Sequence, residues 1–251
     1  MSKRILLALL IFISVQADTI TIVADEWCPY NCDPKSAHPG YMIEIAQKIF
    51  EKEGHTILYT GGISWERAIS QTRKGVYDAL VGTVKLEAPD FIFPLQEQGV
   101  STSVFVTKAS NPWVYTGLDS LQDVTIGYIK GYSYSEELDG YIKKYSNDPK
   151  KAQALSGDHA ILYNAQKLIY EKIDAYIEDL FVLEHYFHLK GENVPFKISG
   201  KIQDDPIYIS FSPNNKKSNE YADILSRGMK KLRQSGELAI ILQRYGLKDW
   251  K

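Results

Sequence analysis

Hydrophobic residues recur along this chain with two alternating periods, and the order of the periods predicts an α/β protein. The β-branched run TITIVA at 19–24 predicts a first strand. Apolar residues then recur at helical spacing across 41–53 and stop at a glycine, which predicts a helix. A strand at 56–60, a helix at 65–74 behind a capping serine and a strand at 78–82 continue the series. The β-α-β-α-β order predicts right-handed crossovers and a parallel sheet.

A second unit of the same kind lies between two extended segments, STSVFVT at 101–107 and PIYISFS at 206–212. Its predicted elements are a strand at 125–128, helices at 134–145 and 159–171, a strand at 173–177 and a helix at 180–189. Two further helices are predicted after the second extended segment, at 220–234 and 237–245.

We therefore expect two α/β lobes with a separate sheet in each. The first lobe would comprise residues 18–106 and 208–251, and the second would comprise residues 107–207. The two extended segments would cross between the lobes side by side. Two such crossings predict a hinge rather than a flexible tether.

Two short strands, YDALVGT at 77–83 and IDAYIEDL at 173–180, run into polar residues at their carboxyl ends. In open α/β sheets, ligands bind beyond the carboxyl ends of the strands. The segments indicate either ordinary buried strands or, if both lobes face one cleft, a ligand site to which each lobe contributes.

The first residues of the chain differ from the rest. Lys3 and Arg4 precede an apolar run at 5–15, and small residues follow it. This pattern predicts a signal peptide, 1–17, that is cleaved near Ala17 on export to the periplasm, with a retained anchor as the alternative. No later segment approaches the ~20 apolar residues of a membrane-spanning helix.

Composition and charge narrow the function. The chain has 251 residues, 44% hydrophobic and 24% charged, as expected of an ordinary globular protein. Its 29 basic and 31 acidic residues give a net charge of −2, and loss of Lys3 and Arg4 with the signal peptide leaves 27 − 31 = −4. The sequence has no basic stripe, which argues against nucleic acid or an anionic membrane as the main partner.

Cys28 and Cys32, in CPYNC, are the two cysteines of the chain. In an oxidising compartment a disulfide between them is the expected outcome. Two free thiols are one alternative. Half of a metal site is another, with His38 as the nearest further ligand, but the rest of a ligand set is missing. We predict a disulfide, no metal and no cofactor.

Several segments resemble those of a known family in order and spacing. They run from Thr19 to about Trp250 and read ITIVADEWCPY, GYMIEIAQKIFEKEG, SWERAISQTRKGVYDALVG, FIFPL, SLQDVTIGYIKGYSYSEEL, EKIDAYIEDL and GMKKLRQSGELAIILQRYG. This series resembles the family 3 extracellular solute-binding proteins, the periplasmic receptors of amino-acid-type ABC importers. The resemblance implies a two-lobed, type II periplasmic-binding-protein-like fold that encloses a small polar ligand. It also implies a monomer and, as partner, a permease in the inner membrane.

The resemblance assigns candidate ligand contacts in the first lobe. The loop after the first strand supplies an acidic residue, Asp25, and an aromatic wall, Trp27 and Tyr30, whose faces can cover an aliphatic chain or a cation. The end of the third strand supplies backbone and hydroxyl groups at Gly82 and Thr83. Packing within the loop is the alternative for both aromatic residues, and a turn that requires glycine is the alternative for Gly82.

In the second lobe, the resemblance assigns Ser133, between Tyr132 and Tyr134, to a ligand carboxylate at the start of a helix. Exposed N–H groups and the helix dipole favour an anion there, with a simple N-cap as the alternative for Ser133. Asp179 stands where the family places the carboxylate that holds an α-amino group. A capping or surface role is the alternative for Asp179.

The sequence departs from the family where an amino-acid ligand's α-carboxylate is bound. Family members usually clamp that group with an Arg shortly after the third strand, through two parallel N–H bonds. Here the stretch reads TVKLEAPDFIFP, where Glu87 and Asp90 make the turn acidic. Either Lys85 or Arg67 replaces the missing Arg, or the ligand has no amino-acid head group. Arg67 is otherwise an exposed helical residue, and Trp65 is expected in the core rather than in the cleft.

Two classes of function fit this assignment. The first is a binding protein without chemistry that delivers its solute to a permease. The second is a periplasmic enzyme on the same scaffold, like the cyclohexadienyl dehydratases that act on prephenate-like acids. Such an enzyme needs a general acid or base and cations for two carboxylates, and no histidine falls at a predicted strand end. We expect a binding protein whose ligand is cationic or neutral, because Asp25 and Asp179 would repel a dicarboxylate.

Overall fold

The structure, a computed structural model, describes residues 17–157, 159–188 and 195–251. The predicted signal peptide, apart from Ala17, lies outside the described residues, as does the predicted helix end at Leu189. The strands are β1 Thr19–Val23, β2 Thr56–Thr60, β3 Ala79–Thr83, β4 Gly99–Lys108, β5 Ile126–Ile129, β6 Ala152–Leu155, β7 Ala175–Asp179 and β8 Phe196–Phe211. The helices are α1 Tyr41–Lys52, α2 Trp65–Arg73, α3 Glu136–Tyr145, α4 Ala160–Ile169, α5 Leu180–His188, α6 Ser218–Ser235 and α7 Glu237–Gln243, with a 3₁₀ turn at Leu118–Leu121.

The strands are hydrogen-bonded in the order β2-β1-β3-β8-β4-β7-β5-β6. β1 runs parallel to β2 and β3, and β5 runs parallel to β6 and β7. We call β2-β1-β3 the first half of the sheet and β7-β5-β6 the second half. Each half has the parallel βαβ arrangement that the sequence predicts, and the antiparallel pair β8–β4 joins them.

The two extended crossings lie side by side, as predicted. β4 and β8 pair antiparallel from Gly99 opposite Ile207 to Lys108 opposite Phe196, with register shifts between Ser103 and Val106. The expectation of two separate sheets is wrong, because β8 is 16 residues long and also pairs with β3 through 208–211. One strand therefore belongs to both halves. The division into lobes at 106 and 208 stays a prediction.

The largest hydrophobic cluster covers the first half of the sheet with α1, α6 and α7. Each large apolar side chain buried in this way stabilises the fold by about 1.5–3 kcal/mol. The same cluster includes Ile129, Ala160, Ile161 and Val182 from the second half. Smaller clusters around Phe105 and Val104 fill the second half. Because apolar side chains of the two halves pack together, the described conformation is closed.

Two local features differ from the prediction. α3 begins at Glu136, and its N-cap is Ser135, whose hydroxyl accepts from the Leu138 N–H. β6 was not predicted, because AQAL has no β-branched or aromatic residue. None of the described helices is both long and apolar enough to cross a bilayer.

Candidate functional site

A cleft lies where the carboxyl ends of β1, β3, β5 and β7 meet, as the strand-end argument predicts. In the closed conformation it is nearly filled, and a cavity of about 30 Å³ remains. That space suits only one or two water molecules. The lining residues with polar side chains are Asp25, Trp27, Trp65, Glu87, Ser101, Ser103, Tyr132, Ser133, Tyr134, Glu178, Asp179 and Asp205.

Trp27 and Tyr30 form an aromatic pair in the loop after β1. Their rings stack with centroids 4.1 Å apart and planes 17° from parallel. Trp27 lines the cleft and donates from Nε1 to Glu178 Oε1 across it, at 3.4 Å. Tyr30 lies behind Trp27, fully buried, and donates its hydroxyl to Asp179 at 3.0 Å. Trp27 is therefore the cleft wall, and Tyr30 supports it from behind.

The same loop carries the disulfide and Asp25. Cys28 and Cys32 are bonded to each other, and no described cysteine is free. The Asp25 carboxylate accepts from the Tyr132 hydroxyl at 2.5 Å. Tyr132 follows β5 in the second half, so this hydrogen bond also spans the cleft.

The end of β3 presents its backbone to the cleft. Gly82 has φ of 87°, and a Cβ there would lie 3.4 Å from the Trp27 ring. The positive φ therefore favours glycine here, whereas a Cβ at that distance would make an ordinary van der Waals contact. Thr83 is buried, and its hydroxyl accepts from Ser210 Oγ at 2.9 Å and is bonded away from the cleft. Of the two residues, Gly82 lines the site and Thr83 does not.

The cationic candidates lie outside the cleft. Lys85 is exposed, with its ammonium over the rings of Tyr208 at 5.2 Å and Phe93 at 5.9 Å. Arg67 is exposed on α2. None of the described residues that line the cleft is Lys, Arg or His.

Trp65 lies both in the core and at the cleft, whereas the sequence indicated the core alone. It is 4% exposed and packs edge-on against Tyr132. Its indole N–H has no hydrogen-bond partner in the described part of the chain. A buried donor left without a partner costs free energy, so this group is available to a ligand or a water molecule.

The donors before α3 are occupied by carboxylates of the protein itself. The Ser133 N–H donates to Glu87 Oε1 at 2.9 Å, and the Ser133 hydroxyl donates to Asp139 Oδ2 at 2.5 Å. The Tyr134 N–H donates to Asp139 Oδ1 at 3.0 Å, while the Tyr134 hydroxyl accepts from the Ile129 N–H at 2.9 Å. The N-cap alternative for Ser133 is wrong, because Ser135 caps the helix.

Asp179 ends β7 with its hydrogen-bonding capacity filled. Its carboxylate accepts from Ser101 Oγ, Thr102 N and Phe181 N at 2.8 Å each, and from Val182 N at 3.0 Å, besides Tyr30. Burial raises its pKa to about 6, although these hydrogen bonds favour the ionised form. Asp179 therefore caps α5, the alternative that the sequence left open.

Sequence reasoning missed Glu178, the residue next to Asp179. It is 2% exposed, and its Oε1 accepts from the Asp179 N–H at 2.8 Å as well as from Trp27. Its Oε2 has no partner among the described residues. Burial raises the pKa of Glu178 to about 8. The sequence did contain a signal, the two adjacent acidic residues at the end of the strand. Successive side chains of a strand point to opposite sides, so one of the two had to face the cleft.

Sequence reasoning noted Glu87 only as an acidic turn residue, but the structure places it in the cleft. Burial first, and the nearby carboxylates Asp25 and Asp139 to a smaller extent, raise its pKa to about 8. With Asp25, Glu178, Asp179 and Asp205, it makes the lining strongly acidic. No group of three or more described His, Cys, Asp or Glu side chains is arranged to hold a metal ion.

Structures with the same fold include substrate-binding proteins of ABC transporters and a sensor domain. An ABC uptake transporter substrate-binding protein from Streptococcus pneumoniae, with bound histidine, has a TM-score of 0.73 and 18% identity over 90% of this chain and 92% of its own. An amino acid ABC transporter substrate-binding protein from the same species, bound to L-arginine, has a TM-score of 0.69 and 19% identity over 91% and 94%. A histidine kinase sensor domain has a TM-score of 0.73 and 15% identity over 92% and 98%. These likenesses show the two-lobed periplasmic-binding-protein-like fold.

The family is shown by the sequence itself. No curated protein matches the chain significantly. The family model of the bacterial extracellular solute-binding proteins, family 3, matches residues 20–248, nearly the whole chain. The protein belongs to the family 3 bacterial extracellular solute-binding proteins.

Proposed function

We propose that this protein is a periplasmic solute-binding protein that encloses a small polar ligand, an amino acid or a related amine, for an ABC importer. The observation that carries the proposal is the unpartnered carboxyl oxygen of Glu178, buried in the lining of a cleft between the two halves. A buried polar atom without a partner is unfavourable, and a ligand that supplies the partner gains that free energy.

Closure of the cleft depends on contacts that only the closed conformation makes. Trp27 donates to Glu178, Tyr132 donates to Asp25, and Tyr186 donates to Glu26 Oε1 at 3.0 Å, each from one half to the other. Because the described cleft has room for only one or two water molecules, a ligand has to displace some of its side chains, and a ligand that binds both halves shifts the population towards a form closed around it. The β4–β8 pair, which joins the halves, is the element we assign to the hinge.

The test is calorimetry with a panel of amino acids and amines on the chain and on Glu178→Gln. The variant keeps the size of the side chain but loses the charge. We expect it to weaken the best ligand by about 1–3 kcal/mol, roughly 5- to 150-fold, the cost of a charge-assisted hydrogen bond. The matched control is Glu220→Gln, an exposed carboxyl on α6 away from the cleft, which should bind as the unchanged protein does. Equal affinities in all three proteins would contradict the assignment of the cleft.

An enzyme on this scaffold remains the second candidate, since Glu178 is a buried acid with an unpartnered oxygen. A dehydratase of prephenate-like acids also needs cations for two carboxylates. The described lining of the cleft has none. We expect no turnover when such an acid is incubated with the protein, and loss of its absorbance at a rate proportional to protein would favour the enzyme.

A further inference from the structure

The cleft offers few donors to an anion. Before α3, the N–H groups of Ser133 and Tyr134 and the Ser133 hydroxyl already donate to Glu87 and Asp139. The hydroxyls of Tyr132, Ser101 and Tyr30 likewise donate to protein carboxylates. Among the side chains of the described lining this leaves the Trp65 N–H and the Ser103 hydroxyl. Two separate neutral donors cannot replace the paired charged donors that fix a carboxylate.

Glu87 occupies a donor just before α3. It follows β3 in the first half, and its Oε1 accepts from the Ser133 N–H of the second half at 2.9 Å. Its Oε2 accepts from the Val84 N–H of its own loop at 3.3 Å. One carboxyl group of the protein thus bridges the halves two residues before the N-cap of α3.

The remaining free capacity suits a cation. Glu178 Oε2 is buried without a partner, Asp25 and Asp205 add negative charge, and no described lining residue is cationic. Trp27 and Trp65 also line the cleft, and aromatic rings attract cations.

From these contacts, and resting on the proposed function, we infer that the ligand is a small organic cation without a carboxylate, a diamine or an amino-guanidine. Its ammonium or guanidinium would donate to Glu178 and Asp25. Glu87 occupies the Ser133 N–H that the carboxylate of an amino acid would otherwise use.

The test compares compounds that differ only by a carboxylate: agmatine with arginine, cadaverine with lysine and histamine with histidine. Calorimetry on the full chain should show at least tenfold tighter binding of the decarboxylated member in the best-bound pair. Equal or tighter binding of the amino acid overturns the inference and leaves the proposed function standing. If the one compound that binds, from a wider panel, carries a carboxylate, the inference is likewise overturned and the proposed function stands. No binding by any amine or amino acid contradicts both.

Glu87→Ala tests whether the Glu87 carboxyl group takes the place of a ligand carboxylate. It frees the Ser133 N–H, so the ratio of affinities, amino acid over decarboxylated amine, should rise at least tenfold. Glu220→Gln should leave this ratio unchanged. Circular dichroism establishes that the variant folds, and the ratio within one protein is insensitive to a general loss of active protein. An unchanged ratio in folded Glu87→Ala would overturn the role assigned to Glu87.

Discussion

At the scale of single residues, Glu178 and Asp179 are adjacent carboxyls in different surroundings. Asp179 accepts from five groups, whereas Glu178 keeps one oxygen without a partner in the described chain. Neighbouring residues of a strand face opposite sides, so one carboxyl can hold the fold while the next faces the ligand site.

The raised pKa of Glu178 predicts that a cationic ligand releases a proton on binding. With a pKa of about 8, this carboxyl is mostly protonated at neutral pH before the ligand binds. An ammonium beside it favours the ionised form and lowers that pKa. Affinity for an amine should therefore increase as pH rises from about 6 to 8 and then level off. Calorimetry in buffers of different ionisation enthalpy measures how many protons are released on binding. Glu178→Gln should largely abolish this release.

Asp179→Asn should act on stability more than on binding. An amide accepts only through its oxygen, so the substitution leaves some of the donors around Asp179 without an acceptor. We expect the free energy of unfolding to fall by about 1–3 kcal/mol. Chemical denaturation measures this, and the loss of ligand affinity should be smaller than in Glu178→Gln. A variant with unchanged stability and abolished binding would restore the direct ligand contact that the sequence indicated.

At the scale of elements, the loop after β1 depends on the Cys28–Cys32 disulfide. The bond closes a short loop beside Trp27, and for a loop of this size the loss of chain entropy in the unfolded state stabilises by roughly 2 kcal/mol. Replacing both cysteines with Ser should lower the free energy of unfolding by that amount and weaken ligand binding. Thiol titration of unreduced, unfolded protein should find essentially no free thiol. Two reactive thiols per chain would contradict the bond.

The helices and parallel strands were predictable because their apolar spacing is local. The 16-residue strand β8 was not, since its second partner, β3, lies more than a hundred positions away along the chain. Site residues were predictable only as strand ends. Whether Thr83 or Gly82 faces the cleft depends on how β3 pairs with β8. Whether Ser133 caps the helix or binds a carboxylate depends on Glu87, which is distant in sequence.

At the scale of the whole molecule, the carboxyls of the cleft predict that closure depends on pH. Glu87 and Glu178 have pKa values of about 8 in the closed form, against 4.5 for an ordinary glutamate. The closed form therefore binds more protons than an open, hydrated one, and it loses stability relative to that form as pH rises from about 4.5 towards 8. Small-angle scattering should show a larger radius of gyration at pH 9 than at pH 5. A bound amine should keep the protein compact at both values, and a constant radius without ligand would count against this account.

The pairing of β8 between β3 and β4 also bears on the order in which the chain can fold. The largest hydrophobic cluster joins α1, near the start of the described chain, to α6 and α7 at its end. α1 and α2 can pack on β1 and β3 early, but the cluster lacks α6 and α7 until Ser218–Gln243 has been synthesised, whereas β5, β6, β7 and the helices α3, α4 and α5 all lie within 126–188. Contacts between distant parts of a chain form slowly. The second half of the sheet should therefore form first, and the first half should be completed last, by residues from the other end of the sequence.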